Sequence, residues 1–158
     1  MPGNVMALYH AAFSAADLPI TMSQIQFSLL PEACRPLLNK FYREHRSPMR
    51  GTNKGQVWVA KQQTTIAALC LTPVNEGHWL TGLFVVPQWR GQGIARRLID
   101  AASHGLDGPL WLFCHPDLRG FYEPQGFTTA QRLPPVLGER FMRYSRDKAL
   151  VALSREKD

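Results

Sequence analysis

Leu83-Phe84-Val85-Val86-Pro87-Gln88-Trp89-Arg90-Gly91-Gln92-Gly93-Ile94-Ala95-Arg96-Arg97-Leu98-Ile99 is the stretch from which the rest of the chain can be read. Its apolar start has strand character and is stopped by Pro87, which has no N–H to give to a sheet. A glycine-rich turn follows, and an amphipathic helix opens at Ile94. The first turn of a helix leaves backbone N–H groups without partners, and the helix dipole makes that end positive. Glycines at 91 and 93 put no Cβ in front of those groups, so a phosphate can approach them directly. Arg90, Arg96 and Arg97 add positive charge around the same point. The segment is built to hold a pyrophosphate.

Three uses of such a turn are separable by residue type. A Walker-type loop needs Gly-Lys-Ser/Thr, the lysine for the terminal phosphates and the hydroxyl for magnesium. Here Ile94-Ala95 follows the second glycine. A dinucleotide fold needs a third glycine three residues on, inside a series of βαβ units. Arg96 stands at that position, and no such series follows. The third use is the pyrophosphate of coenzyme A.

Gln88-Trp89-Arg90-Gly91-Gln92-Gly93 matches the Gln/Arg-x-x-Gly-x-Gly/Ala signature of the GNAT N-acetyltransferases. Downstream, Gly120-Phe121-Tyr122-Glu123-Pro124-Gln125-Gly126-Phe127 resembles the Phe-Tyr-x-x-x-Gly-Phe segment late in that domain. One amphipathic helix and one apolar strand fit between the two. The similarity runs from Gln24 to Tyr144. It implies an α/β (α+β) fold: a mixed, mostly antiparallel sheet of about six to seven strands, flanked by helices, with a splayed central strand pair.

Bulk composition agrees with one such domain. The 158 residues suffice for a single core. They divide into an N-terminal arm or helix (1–23), a core (24–146) and a C-terminal tail (147–158). With 45% hydrophobic and 19% charged residues the chain is ordinary for a globular protein. No apolar run is long enough for a membrane span, and Val5 to Ala16 lacks the basic start and cleavage site of a signal peptide. The three cysteines, Cys34, Cys70 and Cys114, have no metal-ligand spacing, so neither zinc nor disulfides are expected, and the default compartment is the cytoplasm. The net charge of +6 is scattered apart from the turn arginines and Tyr42 to Arg50, which argues against nucleic acid as the main ligand.

Periodicity places the other elements. Gln24 to Leu30 reads as a strand, and Ala33, Leu37, Leu38 and Phe41 give a helix helical spacing. Gln56–Lys61 and Thr64–Thr72 read as a hairpin about Gln62-Gln63, with a turn over Pro73–Gly77 and a strand over His78–Val86. Gly82 within that strand marks a bulge. The helix from Ile94 runs to about His104, and Leu110 to Cys114 is a buried strand parallel to His78–Val86. Asp117 caps a short helix through Glu123. Gly126–Ala130 and Arg140–Ser145 read as a closing strand pair across the Pro134-Pro135 loop.

The resemblance assigns roles. Acetyl-CoA is the co-substrate, with no metal. Backbone groups of Phe84, Val85 and Val86 would meet the pantetheine arm, and N–H groups of Gly91, Gln92, Gly93, Ile94 and Ala95 the pyrophosphate, beside Arg90. Arg96 or Arg97 either reaches the 3′-phosphate or lies on a solvated helix face. His115 stands near where many relatives carry an asparagine that contacts the cofactor, so the resemblance implies a cofactor contact there. Tyr122 matches the residue that protonates the departing thiolate, or is a core tyrosine packed by Phe121 and Phe127. No carboxylate occupies His78-Trp79-Leu80-Thr81-Gly82-Leu83-Phe84, where many relatives carry a catalytic glutamate. Glu76 and His78 are the base candidates, through water, or merely a turn and a strand edge. Tyr42, Arg43 and Arg46 either bind an acceptor bearing a carboxylate or phosphate, or form a solvated basic face. The expected activity is direct transfer of acetyl to a primary amine in a ternary complex, by a monomer or homodimer. The alternative is a non-catalytic acyl-CoA-binding regulator.

Overall fold

The computed structural model describes residues 24–51 and 54–156; the arm or helix read over 1–23 lies outside them. Strand β1 (Gln26–Leu29) ends before Pro31, and α1 (Arg35–Glu44) carries Pro36 in its first turn, where a missing N–H costs little. Strands β2 (Gln56–Gln62) and β3 (Thr64–Val74) form the expected hairpin, reversing at Gln63 with φ +66°. Strand β3 runs past Pro73, so the next turn is shorter than the sequence suggests, with Asn75 at φ +50° leading into β4 (Gly77–Val85). Helix α2 (Ile94–Ser103) and β5 (Leu110–Cys114) follow. Then come α3 (Arg119–Tyr122) between two 3-10 turns, β6 (Thr128–Thr129), α4 (Pro135–Tyr144) and β7 (Val151–Arg155).

The seven strands form one sheet in the order β1-β2-β3-β4-β5-β7-β6, antiparallel except for β4 and β5. Alternation along the strands sorts the apolar side chains between two faces. Helix α2 buries Ile94, Leu98 and Ile99 against one face, with Leu69, Leu71, Leu110, Leu112 and Phe127. Each such side chain contributes about 1.5–3 kcal/mol by leaving water. The other face is shared: α1 sets Leu38, Phe41 and Tyr42 on Val57, Val59, Ala68 and Cys70, and α4 sets Leu137 by Val74 and Trp111.

Three sequence readings are corrected here. Arg140–Ser145 is not a strand but lies in and just after α4, whose Leu137, Arg140, Phe141 and Tyr144 recur at helical spacing behind Pro135 in the first turn. The residues after Asp147 are not all tail, because β7 is inserted between β5 and β6 and pairs with both. Asp117 does not cap the helix after β5; its own N–H donates to Nδ1 of His115, 3.0 Å away, which is the capping group.

Two irregularities of β4 shape the site. It pairs with β5 only at His78–Leu110 and Trp79–Trp111, after which the parallel strands part. On its other side Ala68 faces Phe84 and Cys70 faces Thr81, so Gly82 and Leu83 share one place opposite Leu69. That is the bulge expected at Gly82, which takes φ +65° as only glycine does without strain. The extra residue resets the alternation. Phe84 and Val86 pack toward α1, whereas Leu83 and Val85 join Leu80 against the α2 side.

Candidate functional site

Beyond the parted end of β4 the chain turns through Pro87–Trp89 and reaches α2. Gly91 and Gly93 both lie in the left-handed region, at φ +78° and +79°, and a Cβ at either would meet nothing within 4 Å among the described residues. Gly93 is the N-cap of α2, and no side chain caps the helix. The first-turn N–H groups therefore open onto a clear space at the positive end of the helix dipole. Arg90 is fixed beside them, its Nε donating to the Val85 carbonyl at 2.7 Å and its guanidinium 5.2 Å above the Phe84 ring. Gln92 reaches back to the Gln88 carbonyl at 3.3 Å. Arg96 and Arg97 are exposed, and Arg97 lies 5.1 Å above the Phe27 ring on β1. Ile94 and Ala95 are buried by their side chains, so only their backbone can serve a ligand.

Past Trp79 the inner edge of β4 has, among the described residues, no strand partner on the β5 side. Which residues present their backbone there is decided by the bulge. Val86 donates to the Ile66 carbonyl at 2.8 Å, so by ladder alternation Val86 and Phe84 turn their backbone groups toward β3. Val85 turns toward the parting, as its carbonyl bond to Arg90 shows. Phe84 and Val86, assigned to the arm by sequence, thus point their backbone the other way; Val85, and Leu83 in the same phase, face the gap.

Tyr122 ends α3 and is 7% exposed. Its ring stands edge-on to Phe121 and Phe127, with centroids 4.9 and 5.6 Å away. Burial, and secondarily the Cys114 thiol, raise its pKa, so the phenol keeps its proton. Cys114, at the end of β5, is also raised by burial, against an opposing pull from Arg119, and is held as the neutral thiol. His115 is exposed at the same end, and since Nδ1 accepts the Asp117 N–H, its Nε2 carries the proton.

The base candidates lie elsewhere. Glu76 is exposed in the turn before β4, 3.6 Å from Arg132. His78 opens β4 on the α2 face and lines a cavity of about 160 Å³ with Ser103, His104 and Leu110. Burial lowers its pKa. Leu110 and Cys114, the neighbours of His78 and Tyr122, are four residues apart on β5, about 13 Å of strand. The structure does not bring Tyr122 and these two together.

Tyr42 is also corrected. It is 0% exposed, and its hydroxyl donates to the Gly82 carbonyl at 2.6 Å, so it props the bulge and presents nothing to an acceptor. Burial, then Cys70, push its pKa up. Arg43 and Arg46 are exposed at the end of α1.

The sequence reading missed a cluster on the α4 face of the parting. Trp79, Phe113 and Phe141 form a chain of ring contacts at 5.5 and 5.2 Å, with Tyr144 at 6.5 Å from Phe113. The 3–4 spacing of Leu137, Arg140, Phe141 and Tyr144 was the signal. Among the described residues no group of three or more His, Cys, Asp or Glu could hold a metal, and no helix is long and apolar enough to cross a membrane.

Residues 53–129 match the family model of the acetyltransferase (GNAT) domain. No curated protein sequence matches the chain. Several solved structures share the fold. A GNAT-family acetyltransferase from Staphylococcus aureus Mu50 is 19% identical with TM-score 0.58, over 83% of this chain and 98% of that one. An acetyltransferase from Thermus thermophilus is 14% identical with TM-score 0.57, over 83% and 96%. N-acetylglutamate synthase from Neisseria gonorrhoeae, complexed with coenzyme A and N-acetyl-glutamate, is 16% identical with TM-score 0.62, over 83% of this chain and 34% of that one.

Proposed function

We propose that the chain, whose residues 53–129 match the acetyltransferase (GNAT) domain and whose fold is shared with GNAT-family acetyltransferases, acts as one of them and moves an acetyl group from acetyl-CoA to a primary amine. The observation that carries this reading is the uncapped start of α2 behind Gly91 and Gly93, opening at the parted end of β4. The residues suit coenzyme A. Main-chain N–H groups of Gly91 to Ala95, with Arg90 beside them, would hold the pyrophosphate. Arg96 is the freer arginine for the 3′-phosphate, since Arg97 is engaged with Phe27. The edge of β4 without a strand partner offers strand-like bonds to the two amides of the pantetheine arm, from the Leu83 backbone and the Val85 N–H, the Val85 carbonyl being held by Arg90.

Transfer proceeds by direct attack within a ternary complex. The amine nitrogen bonds to the acyl carbon, the carbon–sulfur bond breaks, and the proton lost by the amine balances the one gained by the thiolate. Tyr122 supplies or shares the proton at sulfur. A coenzyme thiol near pKa ~8.5 leaves readily, and a phenol held protonated can still stabilise it by a short hydrogen bond. A neutral His78 can accept a proton, but its position leaves the relay to water; Glu76 is the other candidate. His115 offers Nε2–H at the end of β5. A single cytoplasmic domain, acting alone or as a homodimer, completes the reading.

Thiol release from acetyl-CoA, followed over a panel of amines, tests it. Amine-dependent release that Tyr122→Phe slows supports transfer. Tight acetyl-CoA binding with no release for any amine would instead favour the regulator, which the absence of a carboxylate along His78–Phe84 motivates.

A further inference from the structure

Arg140 lies on the sheet-facing side of α4, in the row of Leu137, Phe141 and Tyr144, where an amphipathic helix ordinarily places apolar residues. Leu137 is fully buried, and Phe141 meets the Phe113 ring at 5.2 Å. The Arg140 guanidinium is half-buried, 4.9 Å above the Trp79 ring. Among the described residues it makes no hydrogen bond and has no carboxylate within ion-pair distance. Neighbouring arginines do: Arg143 is 3.8 Å from Glu139 and Arg132 is 3.6 Å from Glu76. The indole Nε1 of Trp79 is buried and likewise lacks an acceptor. Withdrawing a cation and an N–H from water without acceptors costs free energy. Among the described residues this corner holds two donors and no acceptor for them.

Its place in the fold gives the corner a use. Trp79 is the last rung joining β4 to β5, where the parting begins. From Val85 to Trp79 is six residues, about 20 Å of strand. An arm laid into the gap from the pyrophosphate turn brings its thioester toward this closed end. Helix α2 seals one face of the sheet with Ile94, Leu98 and Ile99, so an acceptor enters from the face shared by α1 and α4. Arg140, Trp79, Phe113 and Phe141 stand on that face.

Resting on the acetyl-transfer reading, we infer that Arg140 over Trp79 binds the carboxylate of the acceptor. The acceptor class is then small amines that also bear a carboxylate, amino acids and their analogues, with the apolar body against Phe113 and Phe141. A guanidinium fork matches two coplanar oxygens. One cation among aromatic rings suits a monoanion; a phosphate dianion would gather several cations, as at the other end of β4.

The test uses the full chain and the twenty protein amino acids, each beside its α-carboxamide, with acetyl-CoA thiol release as readout. The acid should exceed its amide in kcat/KM by roughly ten- to a hundredfold, the worth of a charge-assisted hydrogen-bond pair. Arg140→Gln should bring that ratio to near one with the KM for acetyl-CoA unmoved, and Arg140→Lys should keep part of it. Amides used as well as acids, or a preference that survives Arg140→Gln, overturns the inference. Dissociation constants of acid and amide with coenzyme A present separate the two readings. If no pair releases thiol, an acid preference abolished by Arg140→Gln upholds the carboxylate site while ending the transfer reading. Absence of any binding preference overturns the site itself.

Discussion

The Tyr42 hydroxyl, in the last turn of α1, donates a 2.6 Å hydrogen bond to the carbonyl of Gly82 at the bulge of β4. This bond ties the buried stripe of α1 to the point where the backbone of β4 changes phase. Tyr42→Phe leaves that carbonyl without its partner and should cost about 1–3 kcal/mol in urea unfolding. If the bond also sets the phase of Leu83 and Val85, the KM for acetyl-CoA should rise in the folded variant. A stability loss with an unchanged KM would make Tyr42 purely structural.

Gly82→Ala meets two obstacles at once. Its φ of +65° disfavours any Cβ by about 1–2 kcal/mol, and that Cβ would stand 2.7 Å from the Tyr42 hydroxyl oxygen. Gly120→Ala, in α3 with nothing within 4 Å, is the control and should be neutral or slightly stabilising. Thermal unfolding of the pair checks the contrast.

Tyr122→Phe should lower kcat at least tenfold while leaving acetyl-CoA affinity within about twofold, because the hydroxyl acts on the departing sulfur and not on the bound phosphates. The raised pKa of this phenol keeps it protonated, so it should add no alkaline fall in kcat up to pH ~9.5. Pre-steady-state kinetics across pH would expose either failure.

His78 carries a pH signature in stability. Its folded pKa is lowered by burial, so the unfolded chain binds the proton more readily. Its contribution is complete above the ordinary histidine value of about 6.5 and fades as pH falls below it. The melting temperature of the wild type should therefore drop more between pH 7.5 and 5.5 than that of His78→Gln. Equal slopes would remove this role.

The glycine turn was legible because its chemistry is local: two glycines, a stop at Pro87 and a helix start determine where N–H groups point. The parted strand pair was expected only through the family resemblance that the two motifs carry. The phase of β4 was not legible: Gly82 marked the bulge, but not that its extra residue turns the backbone of Phe84 and Val86 toward β3. Tyr42 read as a surface aromatic beside arginines, yet its place one turn from Leu38 on the buried stripe of α1 puts it in the core. Arg140 to Ser145 reads as a strand when Pro134-Pro135 is read as a loop; only with Pro135 in a first helical turn and Leu137 included does a helix emerge. The short strand Val151–Arg155 is recognised by its partners on either side, which lie far away in sequence.

Calorimetric titration with coenzyme A, on wild type and on Gly93→Asp, tests the central claim most directly. Wild type should bind one equivalent per chain. The introduced carboxylate, set against the N–H groups at the start of α2, should weaken binding at least a hundredfold without unfolding the protein, as melting temperature will show. Equal affinity in the two folded proteins, or no heat in either, would contradict the assignment of this turn to the diphosphate.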